Sequence, residues 1–157
     1  MKLSIILPVY NVAKFIPDCL DSLLCQDIAK EDYEIICVND GSPDNSVEVI
    51  EGYTKLHSNI KIISQPNSGV CVARNNGFAL AQGTYTWFVD PDDYVDLDFY
   101  EKLYEVATRE NADVAKANLT VVNVDGIHTA GRLNRYVKQD KLNFQYEFTS
   151  AIYKRDF

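Results

Sequence analysis

Signals for buried strands and amphipathic helices alternate along the first 115 residues, and this alternation is the strongest constraint on the fold. Strands are predicted at 3–9, 34–38, 60–63 and 85–89, and again from about 113. Helices are predicted at about 13–26, from 43 onward, at about 69–81 and at 97–109. Parallel strands require a crossover connection, usually a helix, between one strand and the next. The sequence therefore predicts an α/β fold with a mainly parallel central sheet.

Capping residues and apolar spacing give the expected helix ends and buried faces. Ser42 can cap the second helix, which would begin near Pro43, and Gly83 is expected to end the third. Apolar residues at helical spacing are expected to pack on the sheet, among them Phe15, Leu56 and Leu97. After about residue 116 the pattern changes to a predicted hairpin with a two-residue turn at Asp125-Gly126.

Composition narrows the class of protein. The chain has 157 residues, the size of one domain, and a formal net charge of -8, which argues against nucleic-acid binding. Its four cysteines lack a Cys-x-x-Cys or zinc spacing and lie among apolar residues, so reduced, buried thiols are expected. The apolar run at the N-terminus is too short for a signal core or a membrane span. A cytoplasmic location is expected.

The fourth predicted strand ends in a concentration of carboxylates, in the run Tyr-Thr-Trp-Phe-Val-Asp-Pro-Asp-Asp at 85–93. Side chains two apart in an extended segment point the same way, so Asp90 and Asp92 are expected to converge. Their repulsion would be costly without a cation, since the sequence supplies little positive charge nearby. Hard oxygen ligands at this density suit Mg²⁺ or Mn²⁺. The alternative is a solvated turn in which an aspartate caps a helix.

Polar loops follow each of the first four strands, at 8–11, 39–42, 67–69 and 90–93. An open α/β sheet binds ligands at the carboxyl edge of its strands, so these loops are expected to form one crevice. Taken singly, Asp40 is an ordinary turn residue and Tyr10 an ordinary half-buried aromatic. Arg74 lies in an otherwise apolar helical segment and should pair with the carboxylates or bind phosphate.

Four motifs occur in the order and spacing of family 2 glycosyltransferases with the GT-A fold. They are SIILPVYN at 4–11, VNDGS at 38–42, NSG at 67–69 continuing to ARNNG at 73–77, and FVDPDD at 88–93. The chain resembles the nucleotide-sugar-binding part of such an enzyme over about residues 1–114. The resemblance implies a three-layer sandwich, with residues 1–115 as the donor-binding core and 116–157 as the start of an incomplete, C-terminally truncated acceptor side.

The resemblance also implies roles for residues at the nucleobase end of the site. Pro8 and Tyr10 are similar in position to the residues that flank and stack on the base. Asp40 resembles the carboxylate that accepts from the uracil N3-H, which favours a UDP-sugar donor. Arg74 resembles the basic residue near the base and the diphosphate.

At the phosphate end, Asp90 and Asp92 form the D-x-D of the family. By the resemblance Asp90 contacts the nucleotide sugar and the metal, Asp92 is the direct ligand of Mn²⁺ or Mg²⁺, and Asp93 is an auxiliary carboxylate. A metal on the diphosphate stabilises the leaving nucleoside diphosphate without a covalent intermediate. The implied reaction is an inverting transfer to a glycan or lipid-linked acceptor in polysaccharide biosynthesis. Peripheral membrane contact, at the inner face of the cytoplasmic membrane, is an expectation for the full-length protein.

The catalytic base of the family, an Asp or Glu, follows the D-x-D, and in this sequence none of the later acids has a motif around it. The candidates are Asp96, Asp98, Glu101, Glu105, Glu110, Asp113, Asp125, Asp140, Glu147 and Asp156. The last residues resemble the segment that precedes the acidic motif in many bacterial members. The base is therefore expected beyond residue 157.

Two other functions fit a sheet with an acidic pocket. A sugar-phosphate nucleotidyltransferase would need a Gly-rich, basic loop after the first strand to hold a triphosphate, where this chain has Pro-Val-Tyr-Asn at 8–11. A phospho-receiver domain, which would be non-catalytic, needs paired acids after its first strand and a lysine after its last. Both are less consistent with the sequence than the glycosyltransferase.

Overall fold

The computed structural model describes residues 1–117 and, in the remainder, the backbone of the strands at 119–122, 128–131 and 151–154. The strands are β1 (Leu3–Val9), β2 (Tyr33–Asn39), β3 (Ile60–Ser64), β4 (Tyr85–Phe88), β5 (Val114–Lys116), β6 (Leu119–Val122), β7 (His128–Gly131) and β8 (Ala151–Lys154). The α-helices are α1 (Ile16–Leu24), α2 (Ser46–Thr54), α3 (Val70–Leu80) and α4 (Phe99–Arg109). In this described part, no helix is long and apolar enough to cross a membrane.

The main sheet has the strand order β3-β2-β1-β4-β8-β5. Neighbours among β3, β2, β1 and β4 are parallel, as predicted, and β8 is antiparallel to both β4 and β5. Sequence periodicity did not reveal β8, a strand of four residues that joins the sheet from far along the chain. The strands of the predicted hairpin are confirmed as β6 paired with β7. Its predicted turn at Asp125-Gly126 lies outside the described residues.

Helices pack on both faces of the sheet, which gives three layers. Alternate residues of β1 point to opposite faces, and those such as Ile5 and Leu7 join a large core with residues of α1, α2 and α4. Ile6 joins a smaller core on the other face, where α3 packs through Ala73. α3 approaches the sheet closely because it has small residues there: a Cβ on Gly77 would lie 2.5 Å from the Ile6 Cγ2 atom.

A buried polar network holds the amino edge of the sheet, opposite the ends of the strands that carry the motifs. Glu34, 1% exposed, accepts hydrogen bonds from the Ser4 hydroxyl at 2.7 Å, the Lys61 ammonium at 2.8 Å and the Gln82 amide at 2.8 Å. Burial raises the pKa of the Glu34 carboxyl, but these donors outweigh it and hold the pKa below its ordinary value. Ser4 also accepts from the amide of Gly83 at 2.8 Å. The network fixes the loop between α3 and β4 to the sheet.

Several predicted helix ends were wrong. α2 begins at Ser46 rather than at residue 43, and Gly83 is not the cap of α3, which ends at Leu80. Gly83 is instead required by packing, since a Cβ there would lie 2.5 Å from the Ser4 backbone nitrogen. Leu56 and Leu97 are 79% and 67% exposed because they fall outside the helices that were expected to bury them.

The prediction of reduced, buried thiols is confirmed for only part of the set of four cysteines. All four are free, as expected, and Cys19 and Cys37 are buried. Cys25 and Cys71 are exposed, contrary to expectation. Cys25 lies just past the end of α1, and Cys71 lies on the side of α3 away from the sheet.

Phe15, which directly precedes α1, was expected to pack on the sheet but is exposed.

Candidate functional site

A cleft of about 360 Å³ lies at the carboxyl edge of the sheet, where the ends of β1, β2 and β4 meet the start of α3. It is lined by Pro8, Val9, Tyr10, Val12, Asp40, Asn67, Gly69, Val70, Ala73, Asp90, Pro91 and Asp92. The cleft therefore combines residues from all four predicted loops. Of the predicted site residues, Pro8, Tyr10, Asp40, Asp90 and Asp92 come together here. Arg74 is not among the residues that line it.

Part of the cleft lining, at the end of β1, is apolar and aromatic. Pro8 is buried near the end of β1, past the Leu3–Ile6 stretch that pairs with β4, so its missing N–H does not interrupt that pairing. The chain then turns through Asn11, which has a φ of 56°, a conformation that asparagine tolerates. Tyr10 is 49% exposed beside the cleft. A half-exposed ring above apolar side chains can stack on a planar base.

Asp40 lies at the end of β2 and is only 4% exposed. Its Oδ1 atom accepts hydrogen bonds from the Gln65 side chain and the Ser68 amide, both at 2.8 Å, and its Oδ2 atom accepts from the Gly69 amide at 2.9 Å. Burial raises the pKa of the Asp40 carboxyl, but the bonds from Ser68, Gln65 and Gly69 outweigh it and hold the pKa below its ordinary value. Asp40 is ionised at neutral pH.

These bonds show that Asp40 supports the start of α3. Gly69, the residue before the helix, has no side chain to cap it, and the buried carboxylate of Asp40 supplies the negative charge that favours a helix N-terminus. Gln65 orients the carboxylate and itself accepts from the Asn76 side chain at 2.6 Å. A carboxylate has about four acceptor positions, so these three donors leave one of them unused.

Sequence reasoning missed Asp44, which ties the chain after β1 to the start of α2. Its Oδ2 atom accepts from the Ala13 amide at 2.9 Å, and its Oδ1 atom accepts from the Ser46 hydroxyl at 2.6 Å. Burial raises the pKa of the Asp44 carboxyl, but these donors lower it by a larger amount. The pKa is therefore held below its ordinary value. The available signal is an aspartate two residues before a serine, whereas the sequence pattern predicts a cap at Ser42.

Asp90 and Asp92 lie on a turn and not on an extended strand. β4 ends at Phe88, and the Asp93 amide donates to the Asp90 carbonyl at 3.0 Å, which closes a turn over Pro91 and Asp92. Asp90 and Asp92 both line the cleft, but they do so from a turn, so the strand-alternation argument is wrong. The turn presents both side chains to the same space.

Arg74 pairs with Asp90. One guanidinium NH2 group donates to Asp90 Oδ1 at 2.6 Å, and the Arg74 side chain is 18% exposed. Asp90 therefore has a positive partner that is distant from it in the sequence. α3 supplies it, sixteen residues earlier in the chain. Of the two roles considered for Arg74, the structure shows the ion pair.

The acidic turn fits a divalent cation that is shared with a substrate. Burial raises the pKa of Asp93, and the neighbouring charges of Asp90 and Asp92 raise it further, so the three carboxylates are close enough to repel. Across the described residues, no three Asp, Glu, His or Cys side chains form a complete metal site. Mg²⁺ is commonly held by one or two carboxylates plus substrate phosphates, so the oxygen donors of this turn fit that arrangement.

Comparison with known proteins decides the family. The sequence model of glycosyl transferase family 2 matches residues 4–155. The chain belongs to this family. It is similar to the uncharacterized glycosyltransferase EpsJ of Bacillus subtilis, with 49% identity over 111 residues that cover 71% of this chain and 32% of EpsJ. It is 38% identical to the poly(ribitol-phosphate) beta-glucosyltransferase of Bacillus spizizenii over 81% of this chain and 20% of that protein.

Solved structures show the same fold. S. aureus TarS 1-349 superposes with a TM-score of 0.80 at 27% identity, over 99% of this chain and 47% of TarS 1-349. Its complex with UDP gives a TM-score of 0.69 at 34% identity, over 73% of this chain and 34% of that one. The fold of this family 2 member is therefore GT-A, as the motifs implied. The chain spans a fifth to a third of the length of the two curated relatives named above.

Proposed function

We propose that the cleft binds a nucleoside diphosphate sugar, with a UDP-sugar favoured. We further propose that the protein transfers the sugar with inversion to a glycan or lipid-linked acceptor in polysaccharide biosynthesis. The observation that carries this proposal is the composition of this cleft. Its lining combines an aromatic ring at Tyr10, the exposed carboxylate of Asp92 and the buried carboxylate of Asp40. A nucleobase, a diphosphate with its cation, and a hydrogen-bond donor on the base match these three features.

At the base end, Pro8 and Tyr10 would flank the nucleobase, and Asp40 would use its remaining acceptor position for the uracil N3-H. A cytosine presents an acceptor at this position and would meet the carboxylate unfavourably. Asp40 is held in place by three donors, so little reorganisation is needed on binding. Uracil recognition would therefore be rigid.

At the phosphate end, Asp92 is the better candidate for direct metal binding. It is exposed in the cleft, whereas one oxygen of Asp90 is occupied by Arg74. Asp90 would contact the nucleotide sugar with its other oxygen and share the metal site, and Arg74 would hold Asp90 in place rather than bind the diphosphate itself. A bound Mn²⁺ or Mg²⁺ would neutralise charge on the leaving nucleoside diphosphate.

The related proteins support a UDP-sugar donor and a role in polysaccharide biosynthesis. TarS has been crystallised with UDP and with UDP-GlcNAc, at 34% identity to this chain in both cases. A poly(ribitol-phosphate) beta-glucosyltransferase and a minor teichoic acid biosynthesis protein are among the related sequences. Their names refer to poly(ribitol-phosphate) and to teichoic acid, and this supports the polymeric acceptor that we propose.

The catalytic base stays unassigned. Of the described acidic residues, those lining the cleft are Asp40, Asp90 and Asp92, all of which have other proposed roles. The candidates Asp125, Asp140, Glu147 and Asp156 lie outside the described residues. The division into a donor-binding core at 1–115 and an acceptor side from 116 is likewise a proposal, and β8 joins the main sheet from the second of these segments.

Calorimetry of UDP binding with Mn²⁺ and with a chelator tests this function. We expect tighter binding with the metal, and we expect Asp92→Asn to reduce the metal-dependent gain by about tenfold or more, since even outer-shell partners of a metal site contribute 10–100-fold. Asp18→Asn is the matched control, because it removes the same charge from an exposed position on α1. Equal UDP affinity with metal and with chelator would refute the metal role, and no UDP binding at all would refute the donor site.

A further inference from the structure

The loop at 89–98 carries the acidic turn, and residues of one side of α1 contact it at the first residue of that turn and again after it. At the first residue, the Cys19 thiol lies 4.0 Å from the Asp90 carbonyl oxygen and donates a weak hydrogen bond to it. After the turn, the Val95 amide donates to the Ser22 hydroxyl oxygen at 3.2 Å. Cys19 and Ser22 are three residues apart and therefore share a side of the helix.

Gln26, just beyond α1, holds the end of the same loop. Its Nε2 atom donates to the Asp96 carbonyl at 2.8 Å and to the Ser22 carbonyl at 2.9 Å. Its Oε1 atom accepts from the Tyr100 amide at 3.2 Å. Tyr100 is the second residue of α4, where an amide has no partner within the helix, and Asp98 before the helix makes no side-chain cap bond. Gln26 therefore caps α4 from another element.

We propose that Gln26 is a positioning residue for the acidic turn, which sets how well Asp90 and Asp92 meet a metal-bound diphosphate. This inference rests on the function proposed above. Gln26 is more than 60 residues from the turn in sequence and is not among the residues that line the cleft. Its effect would pass through the backbone, because it fixes the start of α4 and the carbonyl of Asp96, and thereby the path of the loop.

The expected loss of affinity for UDP with Mn²⁺ follows from the hydrogen bonds that the variant would lose. The net contribution of one hydrogen bond to an equilibrium is modest, about fivefold, and two such bonds link Gln26 to the loop and to α4. Freeing two backbone partners would let the loop sample other positions, and ordering it again on binding would cost affinity. We expect a roughly fivefold to thirtyfold loss of affinity for UDP with Mn²⁺.

Two variants separate positioning from general support. Gln26→Met keeps the length of the side chain and removes all three hydrogen bonds, whereas Gln26→Glu retains an acceptor for the Tyr100 amide. We expect the roughly fivefold to thirtyfold loss of UDP–Mn²⁺ affinity in Gln26→Met and a smaller loss in Gln26→Glu. Uridine, which lacks the diphosphate, should bind both variants as it binds the parent, and NMR titration can measure that weak affinity.

Glu34→Gln is the matched control, since it weakens the buried network at the opposite edge of the sheet. It should lower the unfolding temperature and leave the ratio of UDP–Mn²⁺ to uridine affinity unchanged. An equal loss of uridine and UDP–Mn²⁺ affinity in Gln26→Met, or no loss of either, would overturn the proposal.

Amide hydrogen exchange tests the positioning without a nucleotide. In Gln26→Met the amides of Val95 and Tyr100 should exchange at least about tenfold faster, as their partners are lost or displaced, while those of β2 and β3 keep the parental rate. Unchanged exchange at Val95 and Tyr100 would overturn the positioning role. If the parent binds no UDP, the proposed function fails, and the exchange rates still decide whether Gln26 holds the loop.

Discussion

At the scale of single residues, Asp40 shows how one carboxylate can serve both the fold and the site. Its three accepted hydrogen bonds join the end of β2 to the loop at 65–69 and to the start of α3. The same side chain lines the cleft. Removing it should therefore affect stability and ligand binding together, and the two effects need separate measurements.

We predict that Asp40→Ala lowers the free energy of unfolding by roughly 1–3 kcal/mol, because the amides of Ser68 and Gly69 lose a buried acceptor. It should also abolish the preference of the parent for UDP over CDP. Urea unfolding and calorimetry with both nucleotides measure the two effects. The pKa of Asp40 is held below its ordinary value of 3.8, so its stabilisation is present above that pH. It is lost as the pH falls through the folded-state pKa.

Asp44→Ala is the control for this prediction. Asp44 also accepts backbone hydrogen bonds with a lowered pKa, but it is not among the residues that line the cleft. It should reduce stability and keep the preference for UDP. If the parent binds CDP as tightly as UDP, Asp40 is a structural turn residue and its role in base recognition is wrong.

At the scale of elements, α3 forms one wall of the cleft and carries Arg74, and small residues set its distance from the sheet. Ala73 and Gly77 face the sheet, and both are buried. A helix with larger residues at these positions would stand farther from β1 and β2. The ion pair between Arg74 and Asp90 joins α3 to the turn after β4.

We predict that Gly77→Ala destabilises the protein by roughly 1–2 kcal/mol. The added Cβ would lie 2.5 Å from Ile6 Cγ2 and 3.0 Å from Val38 Cγ2, so overpacking should exceed the gain in helix propensity. Gly52→Ala in α2 is the matched control, since a Cβ there meets nothing within 4 Å. That change should stabilise the protein by about 0.5–1 kcal/mol. Urea denaturation of both variants measures this, and a stabilising Gly77→Ala would contradict the close-packing argument.

At the scale of the whole molecule, donor binding should appear as a gain in thermal stability. A ligand at 100 times its dissociation constant stabilises the folded state by about 2.7 kcal/mol. For a chain of this size that corresponds to a rise of roughly 5–10 °C in unfolding temperature. We expect this rise with a UDP-sugar and Mn²⁺, and a smaller one with GDP-, CMP- or dTDP-sugars. A thermal-shift panel makes the comparison, and a larger rise with another nucleotide would reassign the donor.

The sequence by itself determined the order of the elements and the edge at which the site lies. Strand and helix periodicities report which faces are buried, so β1 to β4 and the intervening helices could be predicted to within a few residues. The polar residues directly after those strands, including Tyr10, Asp40 and Asp92, could be placed in one crevice because parallel strands end at a common edge. These inferences need only local patterns and one topological rule.

Tertiary structure decided how those residues are partnered. Gln26 contacts a loop 70 residues later, Arg74 pairs with Asp90, and β8 enters the sheet between β4 and β5. No periodic pattern or residue spacing in the sequence indicates which atoms meet in these contacts, because each contact joins segments that are far apart along the chain. A side chain's polarity indicates that it needs a partner, but only the packing of the elements against one another determines which atom comes within hydrogen-bonding distance.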